Sequence, residues 1–308
     1  LMVGLLKKIL NCDSFVTQNN FSSLIIGDKM RKLLALFLLA ISSVVSAADI
    51  TGAGATFPFP IYAKWAEAYK AQTGIGLNYQ SIGSGGGINQ VKARTVSFGA
   101  TDVPLSDKEL ADNKLTQFPT VIGAVVPIVN LSETVNLTDQ QLVMIYSGEI
   151  KNWNDSRLAS ASSTKLPNLP ITVAYRADAS GTSYIWTSYL SKVSSTWKTQ
   201  FGAATSIEWP TGIGAKGNEG ISGVVKQQAG SIGYVEWAFA KQNKMNVARI
   251  NGKIAGPDSF SKKEWPITAP TYILIPIESK DRDDVLKFFD WAKKNGYDIA
   301  KELDYIPL

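Results

Sequence analysis

Four short segments place glycines or small hydroxyl residues where a helix would begin. They are Gly52-Ala53-Gly54-Ala55-Thr56-Phe57, Gly83-Ser84-Gly85-Gly86-Gly87, Ser180-Gly181-Thr182 and, less clearly, Gly212-Ile213-Gly214-Ala215-Lys216-Gly217. The start of a helix exposes N–H groups with no intrahelical partner and carries partial positive charge, and flanking glycines let a ligand approach the backbone closely. The chemistry this suits is capture of an anion by uncharged dipoles. A Ser or Thr at any one such position is most often an ordinary N-cap, so the weight lies on their conjunction.

Arg176 and Asp178 stand just ahead of the third segment. A local ion pair pinning a turn accounts for them. Equally, the planar guanidinium can fork onto an oxyanion while Asp178 holds it in place, and both can be true together. Asp102 follows an apolar strand and precedes Val103-Pro104, which puts it at a strand's carboxyl end, where ligands of α/β sheets sit. An Asp there is more often just the cap of the next turn. A carboxylate in an anion site makes sense if the ligand keeps a proton to donate. Hydrogen phosphate does; ionised sulfate does not, and would meet lone-pair repulsion.

Other chemistries fall away. The 308 residues include no histidine and one cysteine, Cys12, which excludes a His-based triad or a His-ligated metal. The fourth glycine segment fits a G-x-G-x-x-G pattern, but Pro210 precedes it and no long hydrophobic strand feeds it. Gly87 is not followed by Lys-Ser or Lys-Thr, and no G-x-S-x-G elbow occurs. The tryptophans, including Trp65, Trp153, Trp209 and Trp237, sit at spacings that suit a core better than sugar stacking.

The elements that must position these residues alternate between strand and helix. Ile61, Trp65, Ala68, Tyr69 and Gln72 follow helical spacing behind Pro58 and Pro60, with Gly74 as a stop. Leu77, Tyr79 and Ser81 alternate as in a strand, and a short helix is expected over 88–93. Residues 98–102 look like a strand edge, and 121–131 form a buried apolar run. Ser106 with Glu109, and Thr138 with Gln141, make capping boxes. Strands are expected over 171–175 and 272–275. A helix should bury Ile185, Trp186, Tyr189, Leu190 and Val193, and an amphipathic one should span 281–294. The alternation indicates an α/β architecture with largely parallel sheets.

The N-terminus reads as an export signal: Met30-Arg31-Lys32, an apolar run over 33–41, and the small-residue exit Val45-Ser46-Ala47. Residues 1–29 lie upstream of that better start and read as an over-extended gene model, with 30–47 as the cleaved signal. Removing 1–47 leaves 26 cationic against 24 acidic side chains, a net charge of +2, which argues against nucleic acid as partner. Cys12 leaves with the discarded part, so the exported protein would carry no disulfide and no lipid-anchor cysteine. A periplasmic location is expected.

Taken together, Thr51 to Pro58 (TGAGATFP), Gly83 to Gly87, Phe98-Gly99-Ala100-Thr101-Asp102 with Pro104-Leu105-Ser106, Arg176 to Thr182 (RADASGT) and Gly233-Tyr234-Val235-Glu236 resemble the periplasmic phosphate-binding proteins of high-affinity phosphate ABC importers. The likeness runs from about Asp49 to Leu308. It implies a type II periplasmic-binding-protein fold, two α/β lobes joined by two hinge strands near 126–131 and 267–276. Lobe one would be 48–130 plus 265–308, and lobe two 131–264. The family's phosphate contacts map onto Thr56, the Phe57 N–H, Ser84, Asp102, Arg176, Ser180, the Gly181 N–H and Thr182, with Asp178 orienting the arginine. The resemblance also implies no cofactor, a monomer, and delivery of phosphate to a membrane permease with its ATPase. Two departures stand out: the stretch between Gly233 and Trp265 is shorter than in longer members, and relatives usually continue past Leu308 into a C-terminal helix. The competing readings are a secreted phosphate-ester hydrolase, for which no plausible base is present, and the same scaffold serving another oxyanion or a role in adhesion or surface scavenging.

Overall fold

The computed structural model describes residues 49–308, all within one compact unit; the expected signal segment and everything before it lie outside the described residues. The strands are β1 Ile50–Gly54, β2 Leu77–Ser81, β3 Phe98–Thr101, β4 Leu115–Val129, β5 Asn136–Leu137, β6 Thr172–Arg176, β7 Ile213–Ala215, β8 Ser231–Glu236, β9 Asn246–Val247, β10 Arg249–Ile250, β11 Thr268–Pro276 and β12 Ile306–Pro307. The helices are α1 Phe59–Thr73, α2 Ser84–Lys92, α3 Asp107–Asp112, α4 Asp139–Tyr146, α5 Gly181–Val193, α6 Ser195–Gln200, α7 Gly217–Gln227, α8 Trp237–Gln242, α9 Pro257–Ser261, α10 Arg282–Asn295 and α11 Tyr297–Glu302.

One sheet runs in the order β2-β1-β3-β11-β4-β8-β6-β7, with β9 and β12 also paired to β4. The long β4 carries the chain between its two halves. Leu115–Ala124 pair with β11, whereas Val125–Val129 pair with β8. The return path crosses beside it, where the Val125 N–H donates to the Ile267 carbonyl at 2.9 Å. The expectation of largely parallel sheets needs correcting. β1, β2 and β3 are parallel, as are β6, β7 and β8, but β11 and β4 join them antiparallel because the chain traverses the middle in opposite directions. For the same reason β3 is no edge: β11, arriving from far along the chain, pairs Tyr272 with Thr101 and covers it.

Local sequence explains most elements. Proline in the first turn starts α1, and Gly74, at φ 77°, ends it in a left-handed conformation that glycine adopts freely. Its inner face buries Ile61, Tyr62, Trp65 and Tyr69 against α10, whose Phe288 and Phe289 meet Tyr69 and Tyr62 edge-on. Trp65 also donates to the Gly296 carbonyl at 3.0 Å, which the Ala300 N–H shares, so Trp65→Ala would chiefly remove packing, a loss of about 3–5 kcal/mol. Both capping boxes form as read. The second helix does not: α2 begins at Ser84, not at Ile88. Its glycines are poor helix formers by up to about 1 kcal/mol each, but a Cβ on Gly87 would stand 2.5 Å from the Gly54 Cα. Close approach to β1 therefore outweighs propensity, and the glycine-rich stretch is the helix's first turn.

Candidate functional site

The parallel strands of each half end at the same place, and the residues beyond their carboxyl ends meet there. Thr56 follows β1, Ser84 opens α2 after β2, and Asp102 follows β3. From the other half, Arg176 closes β6, Ser180 caps α5, and Asn218 lies in the first turn of α7. All six are buried, Asp102 to 3 % exposure and Ser84 and Asn218 to 0 %. The main-chain hydrogen bond from Gly85 N–H to the Ala179 carbonyl, 2.9 Å, closes one half on the other. Ser81 Oγ donates to Glu219 Oε1 at 3.0 Å on the rim.

Within this closed cleft the polar groups are tightly matched. Asp102 Oδ1 accepts from Thr271 Oγ1 at 2.8 Å, and its own N–H donates to Ser84 Oγ at 3.2 Å. Burial pushes the Asp102 carboxyl up to about 7, against the opposing pull of the Thr271 hydrogen bond, the Arg176 charge and the Ser84 hydroxyl. Arg176 Nε donates to Asp178 Oδ1 at 2.7 Å and Nη2 to Oδ2, a fork that fixes the guanidinium plane. Nη1 is left for Thr182 Oγ1, 3.4 Å away. Burial works against ionisation of Asp178, but the hydrogen bond and charge of Arg176, helped by the Gly217 N–H, hold its pKa below the ordinary value. The local ion pair and the orienting role thus coexist.

Ser180 is an N-cap as well: its Oγ accepts from the Ser183 N–H at 3.0 Å, and its hydroxyl hydrogen remains to donate. The Gly181 and Thr182 N–H groups, in the first turn of α5, have no intrahelical acceptor. The Phe57 backbone lies in a turn closed by Phe59 N–H to the Thr56 carbonyl, and its ring is core, edge-on to Tyr305. The structure therefore brings all nine residues singled out by sequence to one place. Open hollows elsewhere, such as one of about 320 Å³ beside Trp65, Phe118 and Leu308, do not include them.

Three participants had no site role in the sequence reading. Asn218 donates to Thr56 Oγ1 from both its N–H and its side chain. Thr271 holds Asp102, and Tyr234, bonded to Ser183 Oγ at 2.6 Å, accepts the Arg176 N–H. Tyr234 lay in the Gly233-Tyr234-Val235-Glu236 motif, and Asn218 follows the fourth glycine segment, in which β7 supplies three residues of strand and Gly217 sits at φ 72°. Chemically the arrangement is a ring of N–H and O–H donors with one guanidinium and one acceptor, suited to a small tetrahedral anion that carries a proton. Among the described residues no group of three or more Asp, Glu, His or Cys could hold a metal ion.

Residues 42–294 match the family described as the PBP superfamily domain. The phosphate-binding protein PstS of Haemophilus influenzae is 45% identical over 84% of this chain and 89% of its own length. The chain belongs to the PstS family. PstS of Pasteurella multocida is 42% identical over 91% and 92% of the two chains. The solved ABC-type phosphate transport receptor of Vibrio cholerae superposes with a TM-score of 0.60 at 22% identity, covering 84% of this chain and all of that one. The fold is accordingly the two-lobed α/β architecture of periplasmic binding proteins. These PstS relatives bear the names of binding proteins, and among the described residues no helix is long and apolar enough to cross a membrane.

Proposed function

We propose that this protein captures inorganic phosphate in the periplasm and hands it to the membrane permease of an ABC importer driven by a cytoplasmic ATPase. It acts as a monomer, without cofactor and without making or breaking a bond. The observation that carries the reading is the buried carboxylate of Asp102 among donors gathered from both halves of the sheet. Thr56, Ser84, Arg176, Ser180 and Thr182, with the Phe57 and Gly181 N–H groups, donate to phosphate oxygens. Asp102 accepts the proton that phosphate retains, and Asp178 keeps Arg176 in plane. The names of the PstS relatives support phosphate as the anion.

Closure supplies the transport signal. In this reading 48–130 plus 265–308 form one lobe and 131–264 the other, hinged near 126–131 and 267–276; the change of partner along β4 between Ala124 and Val125 supports a crossing just ahead of the first hinge. Shutting the cleft removes water and strengthens each charge-assisted hydrogen bond, and the closed shape is what the permease reads. Residues 30–47 act as the cleaved leader, with no cysteine at the exit to carry lipid.

Trp209 stacks on Tyr175 and Tyr234, and Tyr234 holds the Arg176 backbone, so tryptophan emission should report occupancy. Titration with phosphate should give a saturable change at one equivalent, and release of nitrophenol from its phosphate ester should stay at background with or without divalent metal. No response to phosphate, or steady turnover of the ester, would remove this reading.

A further inference from the structure

Asn218 is wholly buried and touches a strand end and hydroxyls from both lobes. Its amide orientation is fixed by chemistry. The Glu236 backbone N–H, which can only donate, lies 3.1 Å from Oδ1. The Nδ2 group must then face the two threonines, 2.8 Å from Thr56 Oγ1 and 3.5 Å from Thr182 Oγ1. Thr56 Oγ1 also receives the Asn218 N–H at 3.2 Å, so both of its lone pairs are engaged. Thr182 Oγ1 is in the same position, between Asn218 and Arg176 Nη1. A hydroxyl whose acceptor sites are filled can use its hydrogen only as a donor.

We propose that Asn218 is a positioning residue that forces the Thr56 and Thr182 hydroxyls to act as donors only. The inference rests on the phosphate-binding reading above and deepens it. Unconstrained hydroxyls can turn and accept the ligand's proton, but with their lone pairs engaged neither threonine competes with Asp102 for it. Asn218 thereby removes two acceptors that would compete with the Asp102 carboxylate for a protonated anion. It also ties closure to donor alignment, because Thr56 sits on one lobe and Asn218 on the other.

The test is the order of variants, read as phosphate affinity by calorimetry with unfolding midpoints measured in parallel. Asn218→Ala frees the hydroxyls and should weaken phosphate by about tenfold or more. Asn218→Asp keeps the shape but presents only acceptors, so Thr56 turns its hydrogen away from the ligand and binding should fall further than in the alanine variant. A packing role predicts the reverse order, since aspartate is the closer fit. Because aspartate also adds charge, the deciding arm is a cycle with Thr56→Val: in that background Asn218→Ala should cost much less affinity than in the wild type. Should Asn218→Ala not fold, Asn218→Ser carries the same cycle. Independent effects of Asn218 and Thr56, or tighter binding by Asn218→Asp than by Asn218→Ala, would overturn the proposal while leaving phosphate binding intact. A wild-type protein that takes up no phosphate would instead sink the functional reading beneath it.

Discussion

Gly181 and Asp102 come together from opposite lobes so closely that a Cβ on the glycine would stand 2.4 Å from Asp102 Oδ2, and as close to Ser84 Oγ. The glycine has ordinary backbone angles, so the demand is for space, at the seam where the cleft shuts. Gly181→Ala should therefore prevent full closure and lower phosphate affinity by about 100-fold, the scale of an overpacked contact, while the unfolding temperature of the ligand-free protein changes little. Calorimetry and thermal unfolding check this; affinity within twofold of wild type would mean that the seam tolerates a methyl group.

Asp102 should decide which anion is held. Asp102→Asn replaces an acceptor-only oxygen with an amide that can donate to an unprotonated oxyanion, so sulfate gains where phosphate loses. Paired titrations should show the phosphate-to-sulfate ratio falling by at least about tenfold, more than phosphate binding itself weakens. An unchanged ratio would place discrimination elsewhere.

Burial raises the Asp102 carboxyl to about 7 from an ordinary 3.8, and raises Glu236 well above its usual range. A folded state that holds protons more tightly than the unfolded chain is favoured at low pH. The contribution of Asp102 is complete below about pH 4 and is lost as pH rises through about 7. Denaturant unfolding of the ligand-free protein should show stability declining by a few kcal/mol between pH 5 and pH 8, with a shallower decline in Asp102→Asn. Equal slopes in the two proteins would contradict the assignment to Asp102.

The fork of Asp178 on Arg176 is the other buried charge arrangement. Arg176 is 2 % exposed, so removing the countercharge leaves a guanidinium with an unmet donor in low dielectric. Asp178→Asn should lower stability by about 3 kcal/mol and weaken phosphate as well, and bound phosphate should restore part of the lost stability. A variant as stable as wild type would show that the ion pair is dispensable.

Much of this site was legible because its signals are local. Glycines close to Thr56, Ser84 and Ser180 are a compositional mark, and the RADASGT run puts the cation, its partner and the capped helix start within seven residues. What stayed hidden depends on distance along the chain. Thr271 reaches Asp102 across 169 residues, and β11 covers β3 from a slightly greater separation; no spacing rule announces either. The antiparallel middle of the sheet was missed for the same reason, since alternation of strands and helices reports neighbours in sequence and not the direction of a returning strand. The start of α2 was misplaced because glycine propensity argues against a helix that packing against Gly54 requires. Asn218 lay one residue beyond a segment already singled out, yet its role emerges only when the hydrogen bonds of a folded cleft are counted.

The central claim is that one anion occupies the space enclosed by both lobes at these residues. A crystal structure of the protein grown with phosphate tests it most directly. The account predicts one phosphate with an oxygen within hydrogen-bond distance of Asp102 and the others met by Thr56, Ser84, Arg176, Ser180 and Thr182. Phosphate bound away from Asp102 and Arg176, or a closed cleft in which these side chains contact only one another at saturating phosphate, would contradict it.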